Sequence, residues 1–85
     1  MPTITLYANL RKIAGTSEVF ITSTNLGECV LTLIERIPAL DGVVLEDGQI
    51  KPYFVITING RAAVGLDVTV GEDDVIAIFP FIAGG

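Results

Sequence analysis

Hydrophobic and polar residues alternate at the start of the chain. Over "TITLYA", Thr3 to Ala8, the residues Ile4, Leu6 and Ala8 share one face and Thr3, Thr5 and Tyr7 the other. That is the period of a half-buried strand. "NLRKIAG" reads as a turn ending in Gly15, and "SEVFI", Ser17 to Ile21, as a second strand hairpinned onto the first. The period then changes. Leu26, Cys29, Val30, Leu33, Ile34 and Ile37 form one apolar stripe at helical spacing. Asn25 and Glu28 have the spacing of a capping box, and Pro38 disfavours helical geometry at Ile37, so the helix should stop there. Residues 41–52 read as a long connection turning at "EDG", Glu46–Gly48. "YFVITI", Tyr53 to Ile58, is a third strand, Asn59-Gly60 a strong hairpin signal, and "RAAV" a short return strand. "GLDVTVGEDD" is loop and turn before "VIAIF", Val75 to Phe79.

This final strand is apolar at every position, the pattern of one buried on both faces, central and parallel to a neighbour. The order β-β-α-β-β-β predicts an α+β protein: a mixed sheet of about four to five strands with one main helix across it. A right-handed crossover through the helix makes the last strand a neighbour of the first, which is the β-grasp arrangement. Eighty-five residues allow one core, so the expected organisation is a single domain, residues 1–85, with a flexible tail over 80–85.

Composition narrows the function. Apolar residues make up 51% of the chain, enough for a compact fold. No apolar run approaches the roughly 20 residues of a membrane span, and "MPTITLYANL" lacks the pattern of a signal peptide, so a cytoplasmic protein is expected. Ten Asp/Glu against five Lys/Arg give a formal charge of −5, which argues against nucleic acid and favours a basic or mixed-charge protein partner. With no histidine and one cysteine, the chain has no His base, no Ser-His-Asp triad and no zinc ligand set. Neither GxxxxGK[ST] nor GxGxxG occurs. The chain is expected not to be an enzyme by itself and to bind no cofactor or metal.

Three features remain as candidates. Glu72, Asp73 and Asp74 form an acidic run that reads as a solvated turn before a cation site, because alternating ligand spacing is missing. Cys29 lies on the apolar stripe, as a core residue does, whereas a reactive thiol needs an electropositive, partly exposed setting. Arg11 and Lys12 read either as a solvated loop or as a docking contact.

The tail is the strongest candidate. Two terminal glycines occur by chance in about one chain in 200, so context has to carry the reading. Pro80 prevents simple continuation of a paired sheet, and Pro80 to Gly85 extended would reach roughly 20 Å, long enough to enter a narrow channel in another protein. On this reading Phe79 closes the core and Pro80 to Ala83 leave the fold. The α-carboxylate is ionised at neutral pH and a poor electrophile, so any reaction at Gly85 requires activation by a partner.

"LRKIAG" at 10–15, "NLGECVLTLIERIPAL" at 25–40, "LEDG" at 45–48 and "GEDDVIAIFPFIAGG" at 71–85 together resemble the ubiquitin-like sulfur-carrier family, the MoaD/ThiS group. The resemblance covers nearly the whole chain, and the ending is its specific part. It implies that Gly85 is adenylated by a ubiquitin-activating-type enzyme using ATP, then converted to a thiocarboxylate with sulfur from a donor. In the molybdopterin branch the tail docks into the large, MoaE-like synthase subunit. By position, Gly85 bears the sulfur, Gly84, Ala83 and Ile82 thread the channel, and Phe79, Pro80, Phe81 and Arg11 dock the partner. Molybdopterin synthesis is the leading use. Other sulfur pathways (cysteine synthesis, tRNA thiolation), conjugation to protein lysines, and a plain β-grasp interaction domain stay open as alternatives.

Overall fold

A computed structural model describes residues 1–47, 49–51, 54–63 and 65–80. Strand β1, Thr3–Leu6, buries Ile4 and Leu6 and leaves its threonines only partly covered, as the alternation requires. Helix α1, Asn9–Ala14, follows where a turn was expected. It is too short for helical periodicity to stand out, and a single anchor, Leu10, is fully buried. Its C-cap Gly15 is left-handed (φ 75°) and donates its N–H to the Arg11 carbonyl at 2.9 Å, a helix-ending geometry that glycine adopts freely. Entry into α1 is strained. Ala8 has φ 53° and ψ −128°, a left-handed conformation that a Cβ disfavours, pinned by the Leu10 N–H donating to the Tyr7 carbonyl at 3.1 Å.

Strand β2, Glu18–Phe20, returns antiparallel to β1 with Val19 opposite Ile4. Helix α2, Leu26–Arg36, lays Leu26, Cys29, Val30 and Leu33 into the core. Only half of the capping box forms. Asn25 Oδ1 accepts the Glu28 N–H at 3.2 Å, but the Glu28 carboxylate accepts from the Ser23 hydroxyl at 3.0 Å instead of returning to Asn25. The other free donors at the helix start are taken by the 65–70 segment: Leu26 N–H bonds the Val68 carbonyl at 2.8 Å and Gly27 N–H that of Leu66 at 2.9 Å. Arg36 in the last turn donates to the Phe20 carbonyl and ties α2 to the β2 edge. The helix ends before Pro38, which opens a short 3-10 turn, Pro38–Leu40.

The expected long connection contains a two-stranded ribbon, β3 (Leu45–Glu46) with β4 (Gln49–Ile50). Two-residue strands carry no readable alternation, so only the turn at Asp47 (φ 52°) was legible. Strand β5, Phe54–Ile58, pairs with β6, Arg61–Ala62, across Asn59-Gly60, both at positive φ (53° and 85°) as a type I′ hairpin requires. Tyr53, the expected first residue of β5, lies outside the described residues. Strand β7, Val75–Pro80, is central: parallel to β1 on one side and antiparallel to β5 on the other, in a five-stranded sheet ordered β2-β1-β7-β5-β6. The α+β expectation and the first-to-last pairing both hold.

Two expectations need correction. β7 is not buried on both faces. Ile76 and Ile78 are fully buried under α2, but Val75 is 46% exposed and Ala77 and Phe79 are only partly covered, because the single helix layer covers one face. Pro80 does not leave the sheet. It is the last residue of β7, opposite Phe54, and a strand end tolerates a residue without an N–H. No helix among the described residues is long and apolar enough to cross a membrane.

The start of β7 is locked by a polar cluster. Asp74 accepts from the Gly71 N–H at 2.7 Å and from Asn59 Nδ2 at 2.8 Å, while Asn59 Oδ1 accepts the Val75 N–H at 2.9 Å. The Gly71 bond, and then the Asn59 bond, hold the Asp74 carboxyl below its usual range. A depressed folded pKa stabilises the fold above the unfolded value near 3.9, and the contribution disappears as pH falls through the folded pKa. Urea titrations from about pH 6 to about pH 2 should therefore show Asp74→Asn less stable than the parent at neutral pH, with the gap closing in acid. A constant gap would contradict the assignment. Ala8→Gly should raise the unfolding free energy by about 1 kcal/mol, since strain relief exceeds the added unfolded-state entropy. Chemical denaturation measures this directly.

Candidate functional site

Strand parity decides what surrounds the root of the tail. Because Ile76 and Ile78 point inward, Ala77 and Phe79 point to the uncovered face of the sheet. Phe79 therefore does not close the core, as the sequence suggested; Ile78 does. The Phe79 ring meets Tyr7 edge-on, with centroids 6.2 Å apart and an interplanar angle of 87°. Tyr7 is 47% exposed, so this aromatic pair stands at the surface one residue before Pro80.

The pair is one corner of a larger apolar surface. The strand registers set out two rows across the same face: Phe20, Thr3 and Val75, then Glu18, Thr5, Ala77, Thr57 and Ala62. Val55 stands opposite Phe79 beside them. Phe20 and Val75 are about half exposed, at 53% and 46%. Large side chains at the margins and small ones in the middle make a shallow platform of apolar and threonine side chains, with only Glu18 charged among these positions. Such a surface is suited to a protein partner rather than to a small ligand.

Of the residues picked out by sequence, the structure brings Phe79 and Pro80 together on β7. Arg11 is exposed in the last turn of α1, where it lines a shallow notch with Lys12, Gly15, Thr16 and Ser17. Phe81, Ile82, Ala83, Gly84 and Gly85 lie outside the described residues. Tyr7 was missed. It had been assigned to the solvent face of β1 with two threonines, and the available signal was an aromatic ring at the end of an otherwise small, polar face.

Cys29 is fully buried, and its Sγ lies 3.9 Å from the Ser23 carbonyl. Burial pushes its thiol up, the Ser23 hydrogen bond partly offsets this, and the nearby Glu28 charge pushes in the same direction as burial. It is a core residue. In the acidic run, the Asp74 carboxylate is engaged by Gly71 and Asn59, and among the described residues no three His, Cys, Asp or Glu side chains converge as a metal site would need.

The mixed sheet with a central C-terminal strand and one crossing helix is the β-grasp of ubiquitin-like proteins. A solution structure of small archaeal modifier protein 1 from Methanosarcina acetivorans superposes with a TM-score of 0.87 at 31% identity, over 99% of this chain and 95% of that one. The BexX/CysO complex of Amycolatopsis orientalis contains a chain of the same fold, with a TM-score of 0.87 at 19% identity and full coverage of both chains. Small archaeal modifier protein 1 of Haloferax volcanii is 30% identical over 84 residues, covering 94% of this chain and 95% of the relative. The ThiS family model matches residues 4–85, and the chain belongs to that family.

Proposed function

We propose that the chain is a sulfur carrier that acts through Gly85 and serves as the small subunit of a molybdopterin synthase. The observation that carries the reading is the root of the tail. The most deeply paired strand of the sheet ends at Pro80, beside the Tyr7–Phe79 pair and a partly exposed sheet face, and the family match continues to Gly85. A rigid strand fixes where the tail starts, and the platform gives a partner a surface to grip while it handles the end.

The chemistry follows from what a carboxylate lacks. A carboxylate oxygen of Gly85 attacks the α-phosphorus of ATP on a ubiquitin-activating-type partner and releases pyrophosphate. The acyl-adenylate carbon is then attacked by a hydrosulfide equivalent from a sulfur donor, which expels AMP and leaves a thiocarboxylate. Within the synthase, a large, MoaE-like subunit receives the tail; the thiocarboxylate sulfur displaces an oxygen substituent of the pterin precursor, and water then cleaves the acyl–sulfur bond, leaving the sulfur on the precursor and the Gly85 carboxylate regenerated. The carrier's own residues do not move protons in these steps. Phe79, Pro80 and Phe81 seat the base of the tail, Tyr7 extends that seat, Arg11 offers a cation to the partner's rim, and Ile82, Ala83 and Gly84 pass through a channel. Glycine at 84 lets channel walls approach the backbone closely.

A second reading has its own support. Two of the relatives named above are called modifier proteins, and the same activated Gly85 would acylate a lysine amine instead of a sulfur nucleophile. Both readings need the diglycine; they differ in the acceptor.

Intact mass spectrometry after incubation with the cognate activating enzyme, ATP and a sulfide source tests the proposal. The full chain should gain about 16 Da, oxygen replaced by sulfur, and the gain should map to Gly85; deletion of Gly84-Gly85 should abolish it while the chain still folds cooperatively. No gain with a verified activating enzyme contradicts the carrier reading, and lysine-linked adducts in its place support the modifier.

A further inference from the structure

The strand that ends at Pro80 ends beside a cleft. Phe54, which faces Pro80 across the β5–β7 pair, is also a wall of a cavity of about 600 Å³ between the start of α2, β4 and β5. Leu26, Ile50, Ile56 and Leu66 supply further apolar walls. Lys51 lines it too, and no acidic side chain does so among the described residues, although the chain has ten Asp/Glu against five Lys/Arg. In so acidic a protein, an apolar cleft with a single cation and no anion selects for a negatively charged, otherwise apolar ligand.

The chain carries such a ligand within reach. Five residues follow Pro80: Phe81, Ile82, Ala83, Gly84 and Gly85, two large apolar side chains and then an α-carboxylate that is ionised at neutral pH. The Phe54 N–H donates to the Lys51 carbonyl at 3.0 Å, closing a turn that brings Lys51 back toward the strand end. With about 7 Å across that turn and about 5 Å between paired strands, Lys51 stands within about 12 Å of Pro80. Five extended residues span about 17 Å, so the terminus reaches Lys51 with slack.

We propose that the cleft is a resting berth for the chain's own terminus: the tail turns over Phe54 so that the Gly85 carboxylate meets the Lys51 ammonium at the cleft mouth. The berth goes beyond the proposed carrier function. Where that function holds, an activating partner has to draw the tail out before Gly85 can react, and the population of the drawn-out state scales the partner's apparent affinity.

Backbone amide spectra of the full chain, of the chain lacking Gly84-Gly85 and of full-length Lys51→Glu test the berth. The spectra need no enzyme, so they judge it whether or not Gly85 can be loaded with sulfur. Removing the diglycine should shift the amides of Lys51, Ile56 and Leu66 and leave those of Val19 and Val75 in place. Lys51→Glu should raise the mobility of the Ile82 to Gly85 amides to that of an untethered tail. No shift in the cleft on truncation overturns the proposal, and so does equal tail mobility in the parent and Lys51→Glu. Shifts at Arg11 and Lys12 in place of the cleft would put the carboxylate on α1 and also overturn it. Cleft shifts that vanish on roughly tenfold dilution would make the occupant a second copy's tail, contrary to the proposal.

Discussion

The parallel pairing of β1 with β7 is the constraint on which the rest of the structure depends. It joins the first strand of the chain to the last and places the C-terminal strand in the centre of the sheet, with β5 on its other side. A parallel neighbour cannot be reached by a tight turn, so everything between the two strands serves as the crossover. Helix α2 covers the inner face, the 65–70 segment satisfies its first N–H groups, and the Asp74–Asn59 cluster brings the chain into β7 in register. The strand closest to the C-terminus is thereby one of the best-supported elements among the described residues.

One helix layer has a direct consequence for function. The inner face of the sheet is closed by Ile4, Ile76 and Ile78 under Leu26, Val30 and Leu33, all at 0% exposure, while on the outer face Phe20 and Val75 stay about half exposed and Ala77 and Phe79 only partly covered. In a monomer, this arrangement leaves apolar area in water; in a carrier, it leaves a platform beside the tail. Tyr7 and Phe79 bring the platform to the end of β7. The strain at Ala8 belongs to the same junction. Within a few residues the chain sends Tyr7 to the platform and Leu10 into the core, and a left-handed backbone at Ala8 makes that reversal.

Much of this was legible in the sequence because periodicity reports burial. The stripe from Leu26 to Ile37 marked α2, Pro38 its end, Asn59-Gly60 the hairpin, and the unbroken apolar run of Val75 to Phe79 the central strand. The failures share a physical origin. An apolar side chain reads as buried whether or not a second layer exists to bury it, so Val75 and Phe79 were placed inside. Helix α1 and the β3–β4 ribbon are too short for a period to emerge, each sending only one or two side chains such as Leu10 and Leu45 into the core. Pro80 reads as a strand breaker, yet at a strand end its missing N–H costs nothing. The diglycine, singled out by composition and elimination, lies outside the described residues, whereas Tyr7, the aromatic neighbour of Phe79, became visible only through the register of β1 and β7.

The central claim is that β7 is held rigidly at the centre of the sheet as far as Pro80. Native-state hydrogen exchange on the full chain tests this most directly. The account predicts that the amides of Ile76, Ala77 and Ile78 exchange only through global unfolding, with protection equal to the stability measured by denaturant, while those of the β2 edge exchange sooner through local opening. Exchange of the β7 amides at free energies well below global unfolding would show a strand that opens by itself, and would contradict the account.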